Sequence, residues 1–210
     1  MGSLCCGAKA EKRVDGILIE LPFASKNPHK LIEANIALRD YGVKLVPVDV
    51  EKLEIQSEDL EKIVTYAARY AYSILRKPVV VEDAGLFIYA LRGFPGPYSS
   101  YAFKTIGIEG ILKLLEGVSD RNAKFVSVVA LALNESDIIV FRGEVEGSIA
   151  LKPRGSEGFG FDPIFIPQGH TETFAEMGVW RKTLVSHRGN AFRRLGEWIV
   201  KNRDKLIRLL

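Results

Sequence analysis

Residues 16–48 read GILIELPFASKNPHKLIEANIALRDYGVKLVPV, and this stretch decides the fold. Gly16–Ala24 is a nearly unbroken apolar run, the pattern of a strand buried on both faces. It runs into Ser25-Lys26-Asn27-Pro28. Pro28 suits the first turn of a helix, and Ser25 or Asn27 can cap it. The predicted helix spans Pro28–Tyr41 and stops at Gly42. Lys44–Val48 reads as a second strand. Ser57 is expected to cap a long helix whose apolar residues Leu60, Ile63, Val64, Ala67, Ala68, Ala71 and Leu75 recur at helical spacing. Pro78–Glu82 (PVVVE) follows as a short apolar strand ending at Asp83. The order β-α-β-α-β is that of an α/β sheet with parallel members.

Beyond this core, Gly93-Phe94-Pro95-Gly96-Pro97 is a loop, and short helices are expected across 99–116. Strands near 124–133 and 138–146, joined by Asn134-Glu135-Ser136-Asp137, form a hairpin. The sheet is therefore expected to be mixed. Residues 152–163 are a Gly-rich loop, 163–167 a further short strand, and Asn190–Leu210 an amphipathic helix. No linker divides the chain. Residues 15–210 are expected to form a single domain of two lobes, preceded by a loosely ordered extension over 1–14.

The bulk composition excludes several classes. A chain of 210 residues, 47% hydrophobic and 26% charged, has the makeup of a globular domain able to bury a core. A formal net charge of +3 argues against a nucleic-acid coat, while leaving room for a local basic site. Cys5 and Cys6 are neighbours, which gives neither a disulfide framework nor zinc-type spacing. A reducing, cytoplasmic setting is the expectation. No apolar run reaches membrane-spanning length, and the start MGSLCCGAKAEKR lacks the apolar centre of a secretion signal.

Four clusters carry candidate chemistry. In Ser25-Lys26-Asn27-Pro28-His29-Lys30, backbone N–H groups at a helix start can hold phosphate, and Lys30 adds a point charge. It is not a Walker A loop, and alone it reads better as a plain capped helix with a surface lysine. The acidic set Glu54, Glu82 and Asp83 offers hard oxygen ligands for Mg²⁺. The competing reading pairs Glu82 with a nearby Lys or Arg. In Gly158-Phe159-Gly160-Phe161-Asp162-Pro163, Phe159 is the candidate to stack a base and Asp162 to read a base edge; the competing reading makes both Phe side chains core, and Phe161 reads as core. Lys182-Thr183-Leu184-Val185-Ser186-His187-Arg188 brings positive charge and a helix cap at Ser186. A serine-hydrolase reading of Ser186-His187 is weak, because no GxSxG elbow exists.

Taken in order, FASKNPHK (23–30), VVVEDAGLFIYAL (79–91), GFPGPYSS (93–100), GFGFDPIFIP (158–167), TFAEM (173–177) and SHRGNAF (186–192) resemble the inosine triphosphate pyrophosphatase family of house-cleaning nucleotide hydrolases. The resemblance implies an elongated α/β fold with a central mixed sheet, two lobes and a nucleotide cleft between them, commonly as a homodimer. It implies Mg²⁺-dependent hydrolysis of ITP, dITP and XTP to the monophosphate and pyrophosphate, with Mn²⁺ as the other admissible ion. By that resemblance Ser25, Asn27 and Lys30 match the triphosphate loop, and Glu54 a metal-binding glutamate. Asp83 matches the aspartate that binds metal or activates water, with Glu82 beside it. Phe159 and Asp162 match the base-stacking and base-reading pair, and Lys182 a phosphate or sugar contact. Ser186, His187 and Arg188 match the element closing over base and phosphate. Two departures stand out. Tyr66 aligns where the family often carries a lysine, and Ala84 where Ser or Thr follows the acidic pair. The rival readings are a pyrophosphatase for modified pyrimidine or methylated nucleotides, a nucleic-acid-binding module, and an inactive nucleotide sensor.

Overall fold

The computed structural model describes residues 18–50, 53 and 55–210. The readings on 1–14 and on Glu54 lie outside the described residues. The chain forms β1 (Ile19–Phe23), α1 (Pro28–Leu38), β2 (Val43–Pro47), α2 (Leu60–Leu75), β3 (Val79–Ile88) and β4 (Pro95–Gly96). Then come α3 (Ser99–Thr105), α4 (Gly107–Leu114), β5 (Asn122–Ala132), β6 (Ile138–Ile149) and β7 (Phe165–Pro167). The helices α5 (Phe174–Val185), α6 (His187–Lys201) and α7 (Arg203–Ile207) close the chain.

The sheet runs β2-β1-β3-β5-β6-β7, with β4 paired to the outer half of β3. β1 lies parallel to β2 and to β3, whereas β3–β5, β5–β6 and β6–β7 are antiparallel. The expected mixed α/β sheet is thus present, with its parallel part built from the first three strands. The apolar run of β1 is buried because helices cover both faces of the sheet. One core joins β1 and β2 to α1 and α6 through Leu21, Leu38, Leu45 and Phe192. A second seats the apolar stripe of α2 on Val79, Val81, Val128 and Ala130. A third core lies apart, built from Leu86, Ile88, Ile111, Phe165 and Phe174. It is the second lobe.

Three expectations change. β3 does not stop at Asp83; it continues to Ile88, paired with β5 from Val79↔Ala132 to Ile88↔Ala123. A Cβ on Gly85 would sit 2.3 Å from the Gly96 carbonyl oxygen of the adjoining β4. The helix α2 is capped by Asp59, whose side chain accepts from the Glu61 amide; Ser57 instead accepts from Asp59 N. The helix α5 was not expected at all. Elsewhere Asn27 is the cap of α1, and Gly42 closes the following turn in the left-handed conformation. Among the described residues, no helix is long and apolar enough to cross a membrane.

Candidate active site

Because β3 threads both lobes, its middle lies at the cleft between them. Val80 joins the α1/α6 core and Val79 and Val81 the α2 core. Alternation along a strand therefore sends Glu82 to the side of α1 and α6, and Asp83 to the side of α2. Two neighbouring carboxylates thus acquire different surroundings.

Glu82 enters a buried chain of charges. Its carboxylate accepts from Ser127 Oγ at 2.6 Å and Arg188 Nε at 3.0 Å, and lies 2.9 Å from Lys30 Nζ. Arg188 continues to Glu33 at 2.8 Å, Glu33 accepts from Lys182 at 2.6 Å, and Lys182 also donates to Asp162 at 2.6 Å. Asp162 Oδ2 accepts the Phe159 amide as well, at 2.9 Å. Burial alone would raise the Glu82 and Glu33 carboxyls. The adjacent cations outweigh it: Arg188 and Lys30 hold Glu82 well below the carboxylate range, and Arg188 and Lys182 hold Glu33 below its ordinary value. For Asp162, burial prevails over Lys182 and pushes the carboxyl up.

A cavity of about 630 Å³ opens beside this network, lined by both lobes. One wall is the β1–α1 loop. Asn27 Oδ1 accepts from the His29 and Lys30 amides, and Ser25 Oγ from the Asn27 amide. Lys30 reaches from the first turn of α1 to Glu82, with Asp83 Oδ1 at 3.8 Å. The opposite lobe supplies Pro97, Ser99, Ser100, Phe103 and Lys104. Phe159 and His187 also line the cavity. The His187 imidazole is buried flat against Phe125, with ring centroids 4.5 Å apart and planes 8° from parallel. Burial first, then the cations Arg188 and Lys182, lower its pKa well below the usual histidine range, so it is neutral. Its Nδ1 is buried without a hydrogen-bond partner among the described residues.

Ser25, Asn27, Lys30, Glu82, Asp83, Phe159, Asp162, His187 and Arg188 therefore come together around one cavity. Several expected roles change. Glu82, read as a metal ligand, instead meets cations with both oxygens, because a carboxylate this buried needs charge partners. Lys182 is 1% exposed, lies 4.9 Å from the Phe159 ring centroid, and does not line the cavity. Ser186 Oγ caps α6 by accepting from Gly189 N, and the residue is fully buried. Phe159 is partly covered by His29, stacked at 5.3 Å and 23°, while Phe161 is core as expected. Tyr66 is exposed on α2 and lies off the cavity wall. The residue that sequence reasoning missed is Glu33, which joins Lys182 to Arg188.

Among the described residues, no group of three or more His, Cys, Asp or Glu side chains is placed to hold a metal ion. Asp83 is the half-buried carboxylate on the cavity wall. It faces the α2 side, where Val50 and Ile55 of the β2–α2 connection pack. Its hard oxygen donors fit a small divalent cation.

Comparison with known proteins gives a concordant result. Residues 21–198 match the model of the Ham1 family. The chain is 55% identical to a dITP/XTP pyrophosphatase of Hyperthermus butylicus, over 84% of this chain and 92% of that protein. It is 53% identical to a dITP/XTP pyrophosphatase of Methanopyrus kandleri, over 86% and 96%. A solved structure of a HAM1 protein from Coxiella burnetii superposes with a TM-score of 0.76 at 34% identity, covering 87% of this chain and 99% of that one.

Proposed function

The chain belongs to the Ham1 family, and from that premise we propose that it hydrolyses non-standard purine nucleoside triphosphates to the monophosphate and pyrophosphate. dITP, ITP and XTP are the substrates. The observation that carries the reading is the single cavity holding the Ser25–Lys30 loop, Asp83, Phe159 and His187. Such a lining offers polar and charged groups for a triphosphate at one end and aromatic surface for a base at the other.

Mg²⁺, or Mn²⁺ in its place, would be held by Glu54 and Asp83 and would supply charge neutralisation on the phosphates. The chain's own residues do the rest. Lys30 and the Ser25 hydroxyl bind the phosphates. Asp83 accepts a proton from the attacking water. The water oxygen bonds to the α-phosphorus as the bond from that phosphorus to the bridging oxygen breaks, and pyrophosphate leaves with the electron pair. Lys30 offsets the charge that gathers on the phosphoryl oxygens.

At the base end, neutral His187 lines the cavity beside cationic Arg188. The His187 imidazole donates an N–H to the 6-keto oxygen of hypoxanthine or xanthine. The 6-amino group of adenine would set donor against donor and leave both unpaired, a strong basis for rejection. Phe159 stacks on the base once His29 gives way. The same reading takes the protein as a cytoplasmic homodimer.

Asp83→Asn should lower turnover by about a hundred- to ten-thousandfold, with an unchanged circular-dichroism spectrum and melting temperature. An Asp83→Asn enzyme of wild-type activity would remove Asp83 from the mechanism.

A further inference from the structure

We infer that Lys104, on α3 of the second lobe, binds the polyphosphate of the substrate across the cleft. The inference rests on the reading of the cavity as a triphosphate site and deepens it by naming a residue that no motif pointed to.

A polyanion gains most from cations that are not already neutralised. The cations of the first lobe at this site are largely committed. Lys30 lies 2.9 Å from Glu82 and 3.8 Å from Asp83. Arg188 is held between Glu33 and Glu82. Lys182 lies between Glu33 and Asp162 and off the cavity wall. Lys26 also lines the cavity, in the first lobe, with Asp49 at 3.8 Å in an exposed pair that neutralises it only weakly. Lys104 also lines the cavity, and among the described residues its side chain has neither an ion pair nor a hydrogen bond.

Its backbone is fixed even though its side chain is free. Ser99 Oγ accepts the Leu86 amide of β3 at 2.8 Å and donates to the Gly96 carbonyl at 2.7 Å, which ties the start of α3 to the sheet. Phe103, the preceding residue, meets Phe161 edge-on at 5.4 Å and 89°. A flexible ammonium on an anchored helix can follow a phosphate chain without demanding one fixed geometry, as the planar fork of Arg would. It also links the two lobes through the ligand.

The test is binding of inorganic tripolyphosphate to the full chain in Mg²⁺, by calorimetry, for wild type, Lys104→Ala, Lys104→Arg and Lys113→Ala. Lys113 is an exposed lysine on α4 that does not line the cavity. Lys104→Ala should weaken binding about tenfold, the scale of one charge-assisted hydrogen bond, with an unchanged melting temperature. Lys104→Arg should recover most of the loss, and Lys113→Ala should bind as wild type. The inference is overturned if Lys104→Ala binds as tightly as wild type, if Lys113→Ala loses as much, or if the wild type binds no tripolyphosphate. Tripolyphosphate binding that depends on Lys104, in a protein that fails to turn over ITP, would strike the substrate assignment and leave the Lys104 contact standing.

Discussion

Glu33 lies on the buried face of α1 and accepts from both Lys182 and Arg188. Taking any one member out of such a chain leaves the others desolvated and uncompensated. Glu33→Ala should therefore destabilise the fold by about 3–5 kcal/mol, read as a lower urea midpoint; a loss under about 1 kcal/mol would mean that Lys182 and Arg188 find other partners. The motifs led to most of the cavity wall, from Lys30 and Asp83 to Phe159 and His187, because each sits where a strand ends or a helix begins. Glu33 escaped notice because an acid inside a helix reads as solvated. The signal was present: Glu33 shares the stripe of Ala34, Ala37 and Leu38, and a charge on an apolar stripe implies a buried partner. Whether Glu82 binds a metal or pairs with cations was not legible, since the choice depends on Ser127 and Arg188, far away in sequence.

At the scale of elements, the site depends on the junction of α5 and α6. Ser186 ends one helix and caps the next, which fixes Lys182 and Arg188 on opposite sides of Glu33. Their approach is so close that a Cβ on Gly189 would lie 1.8 Å from the Thr183 carbonyl oxygen. That neighbour is backbone and cannot swing away. Gly189→Ala should cost about 1–3 kcal/mol through overpacking, and should weaken activity as well, because the displaced junction carries both cations. A thermal melt and an ITP assay on one variant check this; unchanged values in both would contradict the account of the junction. The helix α5 was illegible because Gly178, at φ 72° and ψ 158°, interrupts its helical geometry. Its one sequence marker was the capping box of Thr173 and Glu176. The first βαβαβ segment was legible for the opposite reason, since every strand and helix there has an uninterrupted pattern with matching ends.

Across the whole molecule, the sheet holds two lobes on one continuous strand, and buried polar groups gather where they meet. This sets the response to acid. His187 is depressed in the folded protein by burial and by Arg188 and Lys182, with Lys30 acting the same way and Glu82 opposing. The unfolded chain thus takes up a proton first, at about pH 6.5, so stability is complete above that value and declines as the pH falls below it. Glu82 and Glu33 are also depressed, but their contribution is lost only below about pH 4.3. Urea unfolding between pH 7 and pH 5 should show stability declining in the wild type and a shallower decline in His187→Gln. Equal slopes would show that His187 is not the group responsible.

The measurement that reaches the central claim most directly is pyrophosphate release from ITP and from ATP at equal concentration, with Mg²⁺ and with the metal chelated. ITP should release pyrophosphate with Mg²⁺, ATP little, and neither any without metal. Equal turnover of ATP and ITP, or release of orthophosphate in place of pyrophosphate, would contradict that claim.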